Sequence, residues 1–228
     1  MDKDKLLKTI KKLDKEDKWN HCFELGEGIE TIPKKELAHN KAANFNKWQR
    51  IKDLVNEKHF INKKILDIGC SDGYFSLKTS KFANKVIGID IDDKRIKKAN
   101  FIKSHFNLKN CYFSNQDISE YENEKFDIGL LLGILHRLPD PLSFLKSTSR
   151  ICDEIIIEYK GMKSKKNLAC YGGGQTKTNE FNKLYFLFSP KCLEIILKNL
   201  GFEIIGSEKL SYFNKLKFPR HMIHAKKI

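Results

Sequence analysis

The stretch Ile65-Leu66-Asp67-Ile68-Gly69-Cys70-Ser71-Asp72-Gly73-Tyr74-Phe75-Ser76 restricts this chain more than any other. Its apolar run, Ile65 to Ile68, lies between Lys64 and Gly69, the pattern of a short parallel strand covered on both faces. Gly69 and Gly73 supply conformations or close approaches that a side chain would block. Helix-compatible residues run from Tyr74 to Phe82, with Phe75, Leu77 and Phe82 as expected core positions. Strand, glycine turn and helix start, in this order, make a ligand-binding corner.

The same alternation recurs downstream. Val86 to Asp90 reads as a strand ending in an acid, followed by a helix carrying Ile96, Ala99 and Ile102. Cys111–Phe113, Phe126–Leu132 and Glu154–Glu158 read as further strands, with a helix over Pro141–Ser149 between the last two. Repeated strand–helix alternation predicts an α/β fold with a doubly wound, mostly parallel sheet. Gly161–Ser189 is polar and aromatic, and its triplet Gly172-Gly173-Gly174 suggests a flexible lid beside the substrate mouth. A helix from Pro190 to Leu200 and strands over Phe202–Ile205 and His221–Ala225 close the chain.

Ahead of the corner, Leu6, Leu7, Ile10 and Leu13 recur at helical spacing over residues 2–16, so an amphipathic helix packed on the domain is expected. Residues 20–33 look extended and turn-rich around Gly26 and Gly28. Trp48, Ile51 and Leu54/Val55 mark a second amphipathic helix over Asn44–Val55. The expected division is a helical N-terminal extension, 1–60, covering the substrate side, and a cofactor-binding domain, 61–228. A chain of 228 residues suits one such domain. No apolar segment reaches the roughly 18–20 residues that cross a bilayer, and the lysine-rich start lacks the apolar core of a secretory signal. A cytoplasmic protein without membrane insertion is expected. Six scattered cysteines never form C-x-x-C, so neither a zinc site nor a disulfide framework is expected. The net charge of +14 suits solvated faces, with RNA as a candidate partner.

The corner's residues choose between two cofactor classes. A dinucleotide fold uses G-x-G-x-x-G so that backbone N–H groups approach a pyrophosphate. Here Ser71 stands where a second glycine would lie, and Asp67 and Asp72 are expected to face any bound phosphate unfavourably. S-adenosylmethionine has no phosphate and carries a sulfonium and an ammonium group, so the charge pattern favours it. Asp90, at a strand end 23 positions after Asp67, is placed to accept hydrogen bonds from both ribose hydroxyls.

The run Asp67-Ile68-Gly69-Cys70-Ser71-Asp72-Gly73 resembles the first motif of class I S-adenosylmethionine-dependent methyltransferases, D/E-x-G-x-G-x-G. The resemblance implies a seven-stranded Rossmann-like sheet with helices on both faces and an antiparallel edge hairpin. It makes Asp67, Gly69, Ser71, Gly73 and Asp90 cofactor-binding residues. It further implies that Asp117 accepts from the adenine amino group while Ile118 and Ile91 pack the ring. Leu132-Gly133-Ile134-Leu135-His136-Arg137 resembles the family's fourth motif. Gly133 would let the methionine end approach, and His136 would face the methyl group as general base, orienting group or packing residue. The implied reaction is in-line attack by an acceptor atom on the methyl group, with no metal required.

A narrower resemblance rests on Glu24-Leu25-Gly26-Glu27-Gly28, Phe45-Asn46-Lys47-Trp48-Gln49-Arg50-Ile51 and Gly133-Ile134-Leu135-His136. Together these look like tRNA wobble-uridine carboxymethyltransferases and their relatives. In that family the lysine that holds the carboxylate of carboxy-S-adenosylmethionine falls on Lys47, and an assisting tyrosine falls on His136. Lys47, His136 and Arg137 are therefore the expected residues of the reacting centre. The expected activity is methyl transfer from S-adenosylmethionine to a small-molecule or saccharide acceptor. tRNA with a carboxylated cofactor, and a non-catalytic cofactor-binding scaffold, are the alternatives.

Overall fold

Among the described residues, short apolar runs form nine strands: β1 (Lys64–Ile68), β2 (Lys85–Asp90), β3 (Cys111–Asn115), β4 (Phe126–Leu132), β5 (Cys152–Lys160), β6 (Ala169–Gly173), β7 (Leu184–Phe188), β8 (Phe202–Lys209) and β9 (Arg220–Lys227). Helices are α1 (Lys3–Glu16), α2 (residues 47–55), α3 (Tyr74–Ser80), α4 (Asp93–His105), α5 (Pro141–Ile151) and α6 (Pro190–Asn199). The structure, a computed structural model, describes residues 2–32, 47–121, 124–173, 184–210 and 219–228. Pro33, the Asn44–Asn46 start expected for the second helix, and Gly174 lie outside these residues.

Seven strands share one sheet in the order β3-β2-β1-β4-β5-β9-β8. β1, β2 and β3 pair in parallel, as do β4 and β5, whereas β9 runs antiparallel to both β5 and β8. This is the mostly parallel Rossmann-like sheet with an antiparallel edge that the motifs implied. Contacts divide the chain into two units, Met1–Asp117 and Ile118–Ile228.

In the first unit, β1 and β2 are buried along nearly their whole length. Asp92 caps α4 by accepting from Lys94 N–H, which fixes where β2 ends and the helix begins. α1 buries Leu6 and Ile10 and packs against α4. Lys98 of α4 is only 1% exposed. A buried ammonium is costly unless it is paired, and this one donates to Asp17 Oδ2 at 2.6 Å and Lys18 O at 2.7 Å, and sits 5.4 Å from the Trp19 ring. The N-terminal segment is thereby fastened to the α/β core. α3 stops at Ser80, short of the expected Phe82, and Leu77 and Phe82 are only half-buried. Tyr74, Ser76 and Thr79 join Phe75 inside instead, because the hydroxyls find partners there: Thr79 Oγ1 bonds the Phe75 carbonyl and Ser76 Oγ bonds Asp67.

In the second unit, Asp140 caps α5 and Pro141 occupies its first turn. Ser189 caps α6 through Cys192 N–H, and Leu193 and Leu197 are buried. β5 and the two last strands are longer than their apolar runs. Polar residues interrupt those runs but pair across the ladder: Arg220 with Glu158 at 3.1 Å, His224 with Glu154 at 3.1 Å. β8 and β9 slip register between Ile204 and Gly206, where Ile205 is exposed. Gly172 and Gly173, expected in a flexible lid, instead end β6, which pairs antiparallel with β7, and Tyr171 meets Phe186 edge-on at 4.8 Å. The interruption by Gly172 and Gly173 concealed this strand.

Candidate functional site

The carboxyl end of β1 turns back at once. Gly69 has φ +72°, and the N–H groups of Gly69 and Cys70 both donate to the Ile89 carbonyl, at 2.8 and 3.0 Å. Ser71 follows at φ +54°, a left-handed conformation that costs an L-residue about 1–2 kcal/mol and explains why the related motif carries glycine there. Its N–H donates to Asp90 Oδ2 at 2.9 Å. Gly73 N–H donates to Cys70 O at 3.0 Å. The N–H groups of Gly69, Cys70, Ser71 and Gly73 are therefore engaged within the fold and offer no cradle for a pyrophosphate.

Asp72 does not face a ligand position as its place in the motif suggested. Its carboxylate is fully buried and turned toward the N-terminal segment. Oδ2 accepts from Asn20 N–H at 2.8 Å and His21 N–H at 2.9 Å, and Oδ1 pairs with His21 Nδ1. The case against a dinucleotide thus passes from Asp72's charge to the engaged backbone.

Asp67 is buried and its Oδ2 accepts from Ser76 Oγ at 2.6 Å. Loss of hydration pushes its carboxyl up to about 6, against the opposing pull of the Ser76 hydrogen bond and His21. Asp90 ends β2 with both oxygens fixed, Oδ2 by Ser71 N–H and Oδ1 by Asp92 N–H at 3.0 Å, and Arg95 lies 3.9 Å from Oδ2. Beside it Ile91 is 74% exposed, a large apolar side chain presented outward at a strand end. Asp117, past the end of β3, is exposed. Lys47, on α2, places its Nζ 5.4 Å from the Phe75 ring, so this lysine lies over the first turn of α3.

In the second unit, Ile118 is buried in a short 3-10 turn. Gly133 follows β4 at φ +84° and donates its N–H to Glu158 O at 2.8 Å. The next turn, Leu135–Arg137, buries His136 and leaves Arg137 exposed. Lys160 N–H donates to His136 Nδ1 at 3.4 Å. β7 packs against this turn, and Tyr171 O–H donates to the Pro139 carbonyl at 2.8 Å.

Asn20 and His21 were missed from the sequence. They belong to no periodic pattern, and the only local signal was the aromatic neighbourhood of Trp19 and Phe23.

A family model described as a methyltransferase domain matches residues 59–201. The chain belongs to this methyltransferase family. Its sheet is that of the class I S-adenosylmethionine-dependent methyltransferases. Among curated relatives, the tRNA U34 carboxymethyltransferase of Aliarcobacter butzleri is 27% identical over 168 residues, covering 70% of this chain and 52% of that protein. The ubiquinone biosynthesis O-methyltransferase of Hahella chejuensis is 26% identical over 102 residues, 43% of each chain. The chain thus spans about half the length of these curated relatives. Among solved structures, the N-terminal domain of EvdMO1, determined in the presence of SAH and D-fucose, superposes with a TM-score of 0.73 at 15% identity, covering 100% of this chain and 97% of that one. The strand ends of the first unit bring together an acid with both oxygens held, an outward apolar side chain and a glycine turn whose N–H groups are engaged.

Proposed function

We propose that this chain transfers a methyl group from S-adenosylmethionine to a small-molecule or saccharide acceptor. The observation that carries the cofactor reading is Asp90. Its carboxylate is held by two backbone N–H groups at the end of β2, beside exposed Ile91 and a turn whose own N–H groups are engaged. A fixed carboxylate suits a ribose diol, and the turn suits a ligand without phosphates.

The remaining roles follow the family resemblance. Asp67, Gly69, Ser71 and Gly73 shape the turn at the methionine end, Asp117 and Ile118 serve the adenine with Ile91, and Gly133 admits the methionine end. The acceptor atom would attack the methyl carbon as the S–CH3 bond breaks with its electron pair passing to sulfur, the acceptor's proton would pass to solvent, and S-adenosylhomocysteine would leave. His136 accepts from Lys160 N–H through Nδ1, and in this reading it orients the acceptor. Exposed Arg137 is an acceptor contact in this reading.

One observation favours a second reading. Lys47 lies over Phe75 in the first turn of α3, and relatives named as tRNA U34 carboxymethyltransferases match much of the chain. A lysine there suits a carboxylated cofactor, and the +14 charge suits tRNA. Incubation with methyl-labelled S-adenosylmethionine, against hydroxylated small molecules and sugars on one side and total tRNA on the other, separates the two. Label in a small molecule supports the first reading. Label in tRNA, or carboxymethylation with the carboxylated cofactor, overturns it in favour of the second. Cofactor binding without turnover on either side points to a scaffold.

A further inference from the structure

Among the described residues, the hydrogen bonds that Asp72 accepts come from two adjacent residues of the N-terminal segment, Asn20 and His21. Asn20 Nδ2 also donates to Ser71 Oγ at 2.8 Å. The His21 ring stacks on Tyr74 at 5.2 Å and 15°, and meets Phe75 edge-on at 5.7 Å. Two residues therefore hold the turn between β1 and α3 by backbone, side chain and ring. Their strand of chain is anchored behind them, where Asp17 and Lys18 receive the Lys98 ammonium and Trp19 packs on Phe23 and Phe101.

Ser71 connects this contact to the candidate cofactor acid. Its hydroxyl receives Asn20, and its N–H donates to Asp90 Oδ2. Without the strap, the carboxylate of Asp72 would be buried with none of its donors, and an unpaired buried charge forces rearrangement. The turn and, through Ser71 N–H, the orientation of Asp90 would shift with it. We propose that Asn20 and His21 are positioning residues for cofactor binding, forming an N-terminal strap whose seating on Ser71 and Asp72 is thermodynamically coupled to occupancy beside Asp90. The proposal rests on the reading of Ser71 and Asp90 as cofactor contacts. Coupling is reciprocal: a seated strap tightens the cofactor, and bound cofactor seats the strap by the same factor.

The test uses the full chain with S-adenosylhomocysteine as probe. Its dissociation constant is measured by calorimetry for the wild type, His21→Ala, His21→Asn and Asn20→Ala. In parallel, trypsin cleavage after Lys15 and Lys18 is timed with and without S-adenosylhomocysteine. His21→Ala is expected to weaken binding about tenfold and to lose the cofactor's protection of the strap. His21→Asn, whose amide N–H reproduces the Nδ1 donor, is expected to recover most of both. Asn20→Ala removes one contact of an exposed residue, keeps the test alive should His21→Ala misfold, and is expected to cost about threefold. Wild-type binding with unchanged affinity in the variants and no protection from trypsin overturns the strap while leaving the cofactor reading standing. A wild type that does not bind S-adenosylhomocysteine overturns both.

Discussion

At the scale of single residues, the buried carboxyl of Asp67 makes the sharpest claim. It titrates near 3.8 when unfolded and is pushed up to about 6 by burial in the fold. Between these values the folded chain retains a proton that the unfolded chain has lost. By linkage, Asp67's contribution to stability is greatest below about pH 4 and declines as pH rises toward 6, by a total on the order of 2–3 kcal/mol. Asp67→Asn keeps an acceptor for Ser76 Oγ and removes the charge. It is expected to raise the unfolding temperature at pH 7 and to flatten the pH dependence between 4 and 6, as read by thermal unfolding across that range. It is also expected to weaken cofactor binding. A lower unfolding temperature at pH 7 would contradict a net cost of burying the charged carboxylate. Asp72 makes the complementary point. Both acids lie in one motif, yet Asp72 is turned away from the strand ends to a partner about fifty residues earlier in the chain.

At the scale of elements, the junction of β1, α3 and β3 depends on Gly73. Its φ is +83°, and a Cβ there would stand 2.8 Å from Phe113 Cζ and 3.2 Å from Ala99 Cβ. Gly73→Ala is expected to cost about 2–4 kcal/mol, combining left-handed strain with overpacking. Phe113→Leu in the same chain is expected to recover part of it, giving a non-additive double-mutant cycle by chemical denaturation. Additive losses would place the cost in the backbone alone. The elements also show what was legible from sequence. Apolar-rich runs such as Ile65–Ile68 and Phe126–Leu132, each followed by glycine, located strands correctly. The full length of β5 and β9 was hidden because their ends carry charged residues, Asp153 and Lys160 in β5 and Arg220, Lys226 and Lys227 in β9, which do not extend the apolar pattern. β6 was hidden by Gly172 and Gly173, which end its run. Within the candidate site, the places of Asp90 and Ile91 at the end of β2 were legible because a strand end is a local feature. Asn20 and His21 were not, because what they do depends on a contact distant in sequence.

At the scale of the whole molecule, the sheet order and the methyltransferase family match place the chain in a class whose chemistry is positioning and exclusion of water. The charge of +14 then acts on the choice of partner and not on the fold. The central claim is that the corner opened by β1 takes S-adenosylmethionine and no dinucleotide. Calorimetric titration of the purified chain with S-adenosylmethionine, S-adenosylhomocysteine and NAD tests it directly. The expected result is saturable binding of the first two at one site per chain and no measurable binding of NAD, with Asp90→Ala abolishing the former. Preferential binding of NAD would contradict the account.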